Sequence, residues 1–263
     1  MKRYWHYLRI CFEMSLYRAL EYRAGVIVQY TLDMIWYAVQ FALLRTAYQY
    51  VPHVGGYELH EAYVFLIFLY ATDAMNMLFF EGGITHYTQA IRNGTLDFYL
   101  LKPISTLYQL TLARVNLSGV FNLIFTIGFT IFVFSEFTLD YDFGRWFWAI
   151  LLFANGLAIN TILRLITASV AFWTTEGGTL NWLFHEVMRF GNKPEAIYTG
   201  RLRSVLTTFV PVLLVSAWPA MALVRGFSFE EAITPFGITA ILIIVLKFVW
   251  WHGVRKYEGL SFQ

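Results

Sequence analysis

Residues 233–251 read Ile-Thr-Pro-Phe-Gly-Ile-Thr-Ala-Ile-Leu-Ile-Ile-Val-Leu-Lys-Phe-Val-Trp-Trp, an almost continuous apolar run. An α-helix rises 1.5 Å per residue, so about 20 apolar residues cross the hydrocarbon core of a bilayer. Further apolar stretches lie at 24–50, 62–80, 106–134, 146–173 and 205–217. Because the bilayer core offers no water to unpaired backbone groups, such runs form helices. The sequence therefore predicts an all-α integral membrane protein with six transmembrane helices.

The composition of the whole chain supports this fold class. Apolar residues make up 58% of the 263 residues, charged residues make up 14%, and the mean hydropathy is +0.55. Soluble proteins carry about 25% charged residues, so this chain lacks the polar groups to cover a soluble domain of its size. The net charge of +2 is too small to indicate a nucleic-acid partner. The single cysteine, Cys11, excludes an internal disulfide and a cysteine zinc cluster.

Residues 1–23 are expected to form an amphipathic helix that lies in the membrane interface before the first span. Apolar residues recur at helical spacing from Leu8 to Leu20, with charged residues on the other side. Charges such as Arg9 and Glu13 also interrupt the apolar core that a signal peptide requires. The alternative is an ordinary soluble helix that packs on a partner.

The distribution of lysine and arginine predicts that both termini face the cytoplasm. With six spans, 14 of the 19 basic residues fall in segments assigned to the inner side. These segments are the two termini and two long inner loops, 81–104 and 175–203. The outer loops carry mainly acidic residues. Because cytoplasmic loops are enriched in lysine and arginine, the predicted topology is N-in and C-in.

Two prolines predict an irregular fifth span. Pro211 lies within the span, and Pro219 follows eight residues later. Proline removes a helical hydrogen bond and kinks or breaks a helix. We therefore expect breaks at these prolines, and an outer segment, 218–232, that lies near the outer surface or re-enters the membrane. Irregular backbone at that depth is tolerated only against protein or a wet cavity.

Four charged residues fall inside predicted spans: Asp33, Asp73, Arg114 and Arg164. A charge within the membrane is costly, so each is a functional hypothesis, here a substrate path or a gate. The alternative is structural, an ion pair of Asp73 with Arg114 or Arg164 that fixes helix packing. A single opposite partner removes most of the cost of burial, which favours the structural interpretation.

Sequence signatures of enzymes are missing from the chain. It contains no G-x-x-x-x-G-K-[ST] ATPase loop, no H-E-x-x-H and no G-x-S-x-G. The six histidines are scattered and form no metal-ligand pattern. We therefore expect no catalytic residue, no metal site and no cofactor on this chain.

The first inner loop, 81–104, is predicted to carry a short helix. Residues 85–93 can form it, with Gly94 as its stop. A short helix held across the inner face between two spans can transmit force from a cytosolic partner. A protein that merely sealed the membrane would not need such a helix.

The segment Ile91-Arg-Asn-Gly-Thr-Leu-Asp-Phe-Tyr-Leu-Leu-Lys-Pro-Ile104 resembles the pattern I-x-x-G-x-L-D-x-x-L-x-[KR]-P-[IV] of ABC-2-type transporter permeases. Supporting matches to an uncharacterised permease subgroup lie at 194–198, 202–203, 209–212 and 219–220. Tyr257-Glu-Gly resembles the subgroup tail Y-x-S-x-G, with the serine displaced to Ser261. In span number and loop placement the resemblance covers nearly the whole chain.

The resemblance implies that the first inner loop holds the coupling helix, which docks on an ATPase. It assigns this role to Arg92, Asn93, Gly94, Leu96, Asp97, Lys102 and Pro103. It further implies a six-helix half-transporter in lipid, within the plasma (inner) membrane of a bacterium. Such permeases pair with a second copy or a paralogous permease, and with two cytosolic subunits that bind ATP and Mg²⁺. The resemblance also implies that the transporter is an exporter, and that its substrate is hydrophobic or amphiphilic.

Two hypotheses from other functional classes remain open. An ion-driven secondary transporter would use Asp33 and Asp73 as proton or sodium sites and would need no ATP. A membrane-embedded enzyme or assembly scaffold would need a cluster of histidines or carboxylates at one depth, which the sequence does not show.

Overall fold

The computed structural model describes residues 2–54, 56–112, 114–137, 139, 141–174 and 177–257, and this part of the chain is built from helices. The helices are α1 (Lys2–Glu21), α2 (Arg23–Tyr50), α3 (Leu59–Asn76), α4 (Gly82–Arg92), α5 (Asp97–Leu100), α6 (Thr106–Thr111), α7 (Ser118–Phe137), α8 (Phe143–Ser169), α9 (Gly177–Met188), α10 (Gly200–Ser204), α11 (Leu213–Arg225) and α12 (Phe229–Lys256). Two π turns, Met77–Glu81 and Val205–Phe209, continue α3 into α4 and extend α10. Short 3₁₀ turns are Val170–Phe172, Arg189–Asn192 and Glu195–Ile197.

Five helical runs within the described residues are long and apolar enough to cross a bilayer. They are Arg23–Tyr50, Leu59–Arg92, Ser118–Phe137, Phe143–Phe172 and Phe229–Lys256. A sixth crossing exists if the bent pair Gly200–Phe209 and Leu213–Arg225, whose axes meet at 101°, counts as one broken span. The predicted all-α membrane fold is confirmed, with five spans or six.

Side-chain contacts define two ends of the helical bundle. At one end, called the base, Phe172 packs on Trp250 with ring centroids 5.9 Å apart. At the other end, called the top, Arg225 donates a hydrogen bond to the carbonyl of Gly56 at 3.0 Å. The base is the end that the sequence predicts to face the cytoplasm. From these contacts, α3–α4, α8 and α12 each run from top to base.

The α3–α4 helix lies at the centre of the bundle, and α2 lies at its edge. In the apolar window of α3–α4, 67% of residues are buried, against 6% in α2. Aromatic side chains join the two helices, because Tyr37 and Tyr70 have ring centroids 4.3 Å apart. Phe125 of α7 stacks on Tyr37 at 5.5 Å. Such pairs stabilise packing by about 0.5–1.5 kcal/mol each beyond their buried area.

Polar caps at the top determine where two spans begin. Glu58 and Glu61 form a reciprocal capping box at the start of α3. Ser228 and Glu231 form another at the start of α12, where the Glu231 carboxylate accepts from the Ser228 backbone at 2.8 Å. Each box satisfies backbone N–H groups that the first turn of a helix leaves unpaired.

The predicted third span starts too early. Residues 106–111 form the separate helix α6, and α7 begins only at Ser118. The Oδ1 atom of Asn116 accepts hydrogen bonds from the backbone and hydroxyl of Ser118, at 3.1 and 2.7 Å. The Asn116 backbone N–H also donates to the carbonyl of Leu78 at 3.0 Å, which holds this turn against the end of α3. Arg114 precedes the turn and is exposed, so it lies outside the span.

The predicted break at Pro219 is wrong, and the predicted outer segment 218–232 consists of the end of α11 and the start of α12 at the top. Pro219 lies buried inside α11, and the chain stays helical to Arg225. Proline at 219 leaves the carbonyl four residues earlier, that of Val215, without its helical donor. That carbonyl faces Gly156 of α8, so closely that a Cβ at Gly156 would lie 2.6 Å from it. The close packing of α8 on α11 accommodates the proline.

The predicted break at Pro211 is confirmed. The bend between α10 and α11 lies at residues 210–212, which are not helical. There a Cβ at Gly191 would lie 2.9 Å from the carbonyl of Val212, so the bend rests on the 3₁₀ turn after α9. Since Val215 of α11 also packs on the middle of α8, the bend lies at mid-depth. Residues 200–225 therefore form a re-entrant hairpin that enters from the top and returns to it, so this bent pair is not a sixth crossing.

The predicted cytoplasmic loop 175–203 is wrong in its later part. Arg203 and Glu195 form an ion pair at 3.0 Å and line one cleft with Arg225 and Glu231 at the top. Basic residues made this stretch resemble a cytoplasmic loop. In the structure Arg189 pairs with Glu186 and Arg203 pairs with Glu195, and these partners offset the cost of leaving the base for those two charges. Residues 175 and 176 lie outside the described residues.

The N-terminal helix is confirmed as α1, Lys2–Glu21. The Tyr7 hydroxyl donates to the carbonyl of Gln109 at 2.9 Å, so α1 packs along α6 at the base. Large apolar side chains such as Trp5 and Leu20 remain exposed. Exposed apolar groups on a partly charged helix suit the predicted position in the membrane interface.

Candidate functional site

The segment 91–104, here called the coupling segment, joins α4 to α6 at the base. The α4 helix ends at Arg92, and Gly94 adopts φ +68°. This left-handed conformation favours glycine, which has no Cβ to clash. The N–H of Thr95 then donates back to the carbonyl of Ala90 at 3.0 Å. The predicted glycine stop is confirmed, but the predicted separate short helix across the inner face is wrong, because α4 continues α3 as one helical run from Leu59 to Arg92.

Leu96 attaches the coupling segment to the last transmembrane helix. Its side chain is fully buried, and its backbone N–H donates to the Tyr257 hydroxyl at 2.9 Å. Tyr257 directly follows α12, so this hydrogen bond joins the coupling segment to the end of α12. A displacement of the segment therefore acts on α12 directly.

The rest of the coupling segment presents apolar and basic groups to solvent. Phe98 is 63% exposed and Leu101 is 85% exposed. Lys102 is also exposed, and its Nζ atom lies 5.0 Å from the centre of the Tyr99 ring. Exposed apolar groups that adjoin charges are typical of a surface that a partner covers.

All seven residues predicted to contact an ATPase lie at the base. Leu96 is buried, and Gly94 and Asp97 are half-buried. The exposed members are Arg92, Asn93, Lys102 and Pro103. The sequence motif therefore identified one continuous surface together with its buried anchor.

A cleft of about 660 Å³ adjoins the coupling segment, between α4 and the base ends of α8 and α12. Arg92 and Lys256 line it, together with Trp173 and Tyr257. Sequence reasoning named Tyr257 only as part of the tail match, and it missed Lys256 and Trp173 as functional residues. The available signal was their position at the base ends of two spans, where a partner of the coupling segment would meet them.

Two of the four charged residues predicted inside spans lie away from any shared site. Asp33 of α2 accepts hydrogen bonds from Gln29 Nε2 at 3.0 Å and from Asn122 Nδ2 at 2.9 Å. Arg114 is exposed at the base, and a Cβ at Gly82 would lie 2.7 Å from its carbonyl oxygen. Both residues therefore have local structural surroundings.

The other two, Asp73 of α3 and Arg164 of α8, line one cavity at mid-depth. The Asp73 carboxylate accepts a hydrogen bond from the Tyr37 hydroxyl at 2.8 Å. Among the described residues, no ion pair within 4.0 Å includes Asp73 or Arg164. The predicted direct ion pair, with either Arg114 or Arg164, is therefore wrong. The reason is separation: Arg114 lies at the base, and the cavity separates Arg164 from Asp73.

This cavity, here called the central cavity, has a volume of about 150 Å³. Three buried oxygens in its wall, Thr72 Oγ1, Asn76 Oδ1 and Asn160 Oδ1, have no hydrogen-bond partner in the described part of the protein. An unpaired polar group in the membrane costs several kcal/mol, so these atoms require water or a ligand. The volume is large enough for several water molecules.

Sequence reasoning named the charges of the central cavity but missed its neutral polar residues. Thr72 and Asn76 are four residues apart, and so are Asn160 and Arg164. Residues four apart share one face of a helix, so each pair marks a polar face within an apolar span. That spacing was the signal available in the sequence.

A cleft of about 560 Å³ at the top is lined by Glu195, Arg203, Arg225 and Glu231. Burial raises the pKa of Glu195, and the Arg203 guanidinium at 3.0 Å opposes this shift. The guanidinium of Arg225 also stacks over the Tyr57 ring at 4.9 Å. These contacts connect the hairpin to the top ends of α3 and α12.

Nothing in the described ranges collects three histidine, cysteine or acidic side chains at one place that would suit a metal ion. At the base, Arg92 and Lys256 would repel a cation, and burial raises the pKa of the lone Cys11 thiol. The arrangement therefore offers docking and binding surfaces, with no assembled group of catalytic side chains among the described residues.

A family model described as "ABC-2 family transporter protein" matches residues 34–261. The chain belongs to the ABC-2 transporter family. This matched range contains the coupling segment, the central cavity and the hairpin, and it begins within α2. No curated protein and no solved structure matches the chain.

Membership of this family indicates that the chain takes part in membrane transport. An ABC-2 transporter protein is a membrane component of a transporter, and this one has the several spans of a multi-pass protein. Such a component typically has no ATPase motif of its own, and the sequence contains no Walker loop. The resemblance carried by the coupling segment is confirmed.

Proposed function

We propose that this ABC-2 transporter protein is the permease subunit of an ATP-driven exporter, coupled at the base to separate ATP-binding subunits. The observation that carries the proposal is the double attachment of the coupling segment. On one side, α4 continues α3 through the π turn Met77–Glu81 without a break. On the other side, Leu96 is hydrogen-bonded to Tyr257 after α12. A movement of the ATPase is thereby passed to two spans at once.

The surface at the base has the chemistry to receive such a partner. Phe98 and Leu101 offer apolar area, and Arg92 and Lys256 bring positive charge to the adjoining cleft. Interfaces of this kind combine an apolar centre with a charged rim. We expect the ATPase to present an apolar groove with acidic residues at its edge.

The base faces the cytoplasm in this proposal, with both termini inside the bacterial plasma membrane. Four basic residues of the loop 175–203 no longer count as cytoplasmic: Arg189, Lys193, Arg201 and Arg203. The number of basic residues assigned to the inner side then falls from 14 to 10 of 19. Arg114, which the structure places at the base, adds one more. The excess at the base still predicts N-in and C-in.

A second permease, identical or paralogous, is proposed to pack beside α2. Only 6% of the apolar window of this helix is buried within the chain. Its exposed large apolar side chains are Ile27, Val28, Leu32, Ile35, Val39 and Leu43. This face accommodates a partner permease and membrane lipid. The cargo is proposed to be amphiphilic, which suits a path with charged groups set between apolar helices.

The coupling proposal is tested with the double variant Arg92→Ala/Asp97→Ala. The permease is reconstituted in nanodiscs with its ATP-binding subunit, and ATP hydrolysis is measured with and without permease. The variant should insert normally and lose most of the stimulation. The matched control is Arg45→Ala/Glu136→Ala, which removes one exposed base and one exposed acid outside the coupling segment. Full stimulation by the normally expressed coupling variant would contradict the proposal.

An ion-driven transporter is the second candidate, favoured by the carboxylate of Asp73 on the central cavity. Asp33, the other residue that this alternative requires, accepts two local hydrogen bonds. The two candidates differ in energy source. Uptake into proteoliposomes driven by a proton or sodium gradient without ATP, and abolished by Asp73→Asn, would favour the ion-driven candidate.

A further inference from the structure

We propose that the central cavity binds a small zwitterionic group, with its anionic end on Arg164 and its cationic end on Asp73. The cavity lies between α3, α8 and the hairpin, at mid-depth. The inference depends on the proposed function only in taking this group as part of the transported cargo.

Arg164 provides the site for the anionic end. A guanidinium has five N–H donors and no acceptor. Within the described part of the chain, its guanidinium has no hydrogen-bond acceptor and no ion-pair partner within 4.0 Å, and the carboxylates that attract it from farther away are Glu81 and Asp73. The other arginine on the cavity, Arg189, already donates to both carboxylate oxygens of Glu186, at 3.2 and 3.1 Å. Arg164 is therefore the free cation of the cavity among the described residues.

Oxygen acceptors provide the site for the cationic end. The structure gives the Asp73 carboxylate one donor, the Tyr37 hydroxyl. The unpaired Oδ1 atoms of Asn76 and Asn160 belong to residues only 5% and 6% exposed. Oxygens that lack donors favour a ligand group that carries N–H, such as an ammonium. Trp36 also lines the cavity, and an aromatic face attracts a cation.

The balance of charge selects a ligand with both signs. An anion alone would bind Arg164 near the negative Asp73 and Glu81, and a cation alone would bind Asp73 near the positive Arg164. In a membrane interior such like-charge neighbours are poorly screened. A zwitterion places each of its ends on the opposite charge. A cavity of about 150 Å³ accepts a ligand of benzene size, so the bound group has about six non-hydrogen atoms.

Binding is measured on the purified chain in nanodiscs, without an ATPase. The probes are glycine, 3-aminopropanoate and 4-aminobutanoate, which vary the separation of the two charges. Acetate, methylammonium and glucose are the comparison ligands. We expect one of the three zwitterions to bind at least about tenfold tighter than acetate, methylammonium or glucose. No binding by any zwitterion, or equal binding by glucose, would overturn the proposal.

Two charge-neutralising variants test the assignment of the two ends. Arg164→Gln should lose acetate binding and keep methylammonium binding, and Asp73→Asn should do the reverse. A general structural loss would weaken both ligands together and would contradict the assignment. The matched controls are Arg114→Gln and Glu136→Gln, whose residues do not line the cavity and whose variants should bind as the unmodified protein does.

The outcome is separable from that of the proposed function. Arg92→Ala/Asp97→Ala should keep zwitterion binding while it loses ATPase stimulation. Binding without any ATPase coupling would support the cavity and contradict the coupling proposal. Coupling without zwitterion binding would support the permease role and leave the central cavity as a water-filled space.

Discussion

The α3–α4 helix contacts α6 at the base and lines the central cavity at mid-depth. Its packing is tight at the first place and open at the second. At the base, α4 meets α6 so closely that a Cβ at Gly83 would overlap the carbonyl of Thr111. One helical stretch away, Asp73 borders an open space of about 150 Å³. A joint that transmits force requires stiff contact, and a binding site requires room. In the proposed function one helix would serve both tasks, with close backbone contacts at the base and open space beside it at mid-depth.

The largest expected effect comes from filling the close contact at the base. Gly83→Ala places a methyl group onto the backbone of α6, and overpacking of this kind costs about 3 kcal/mol or more when backbone must move. Thermal unfolding in detergent, followed by size-exclusion chromatography, should show a large loss of folded protein. Gly128→Ala is the control, because nothing lies within 4 Å of its added Cβ. Equal melting temperatures for the two variants would show that the base is not a stiff joint.

A smaller effect is expected from cutting the attachment of the coupling segment to α12. Tyr257→Phe removes the hydroxyl that accepts the Leu96 N–H, and an unpaired buried N–H costs about 1–3 kcal/mol. The variant should melt at a lower temperature and stimulate ATP hydrolysis less. Tyr50→Phe, at a residue that is 82% exposed, should change neither measurement. Normal stimulation by Tyr257→Phe would mean that force reaches the spans through α4 alone.

The smallest effect is expected from the two charges across the central cavity. Asp73→Asn, Arg164→Gln and the double variant form a cycle of unfolding free energies. Removing one member of a direct buried pair costs about 3–5 kcal/mol, whereas two charges separated by a wet cavity should couple by about 1 kcal/mol. The directly bonded Glu195 and Arg203 at the top supply the comparison cycle and should couple more strongly. A coupling of 3 kcal/mol or more across the cavity would remove the contrast with the base.

Features set by local composition could be predicted from the sequence. The run 233–251 lies inside α12, Phe229–Lys256, because continuous apolarity needs no partner to be recognised. Gly94 stops α4 because its own backbone conformation requires glycine. The effect of Pro219 could not be predicted, because it depends on Gly156, a residue of another helix. The same holds for the start of α7, which Asn116 sets through bonds to its neighbours.

The same distinction between local sequence and contacts with other helices applies to the candidate functional site. The coupling segment could be predicted because its residues are contiguous in the chain. The central cavity could not, because Asp73 and Arg164 come together only through the packing of α3 on α8. The distance between the Asp73 and Arg164 side chains decides whether they form an ion pair or face each other across a cavity. That distance cannot be calculated from their spacing in the sequence. Asn160 and Thr72 carry no charge, so the sequence does not distinguish them from other neutral polar residues within apolar spans.

The π turn Met77–Glu81 determines how the coupling segment is rotated about the helix axis relative to the central cavity. From Asp73 to Arg92 the helix advances 19 residues, or about 28 Å, and each residue adds about 100° of rotation. A π turn holds one residue more than an α-helical turn, so it decides which way Arg92 faces when Asp73 faces the cavity. Without that extra residue, both ends would stay helical but the coupling surface would rotate by more than a quarter turn away from α12. The π turn therefore fixes the rotation of the coupling segment about the helix axis relative to the central cavity.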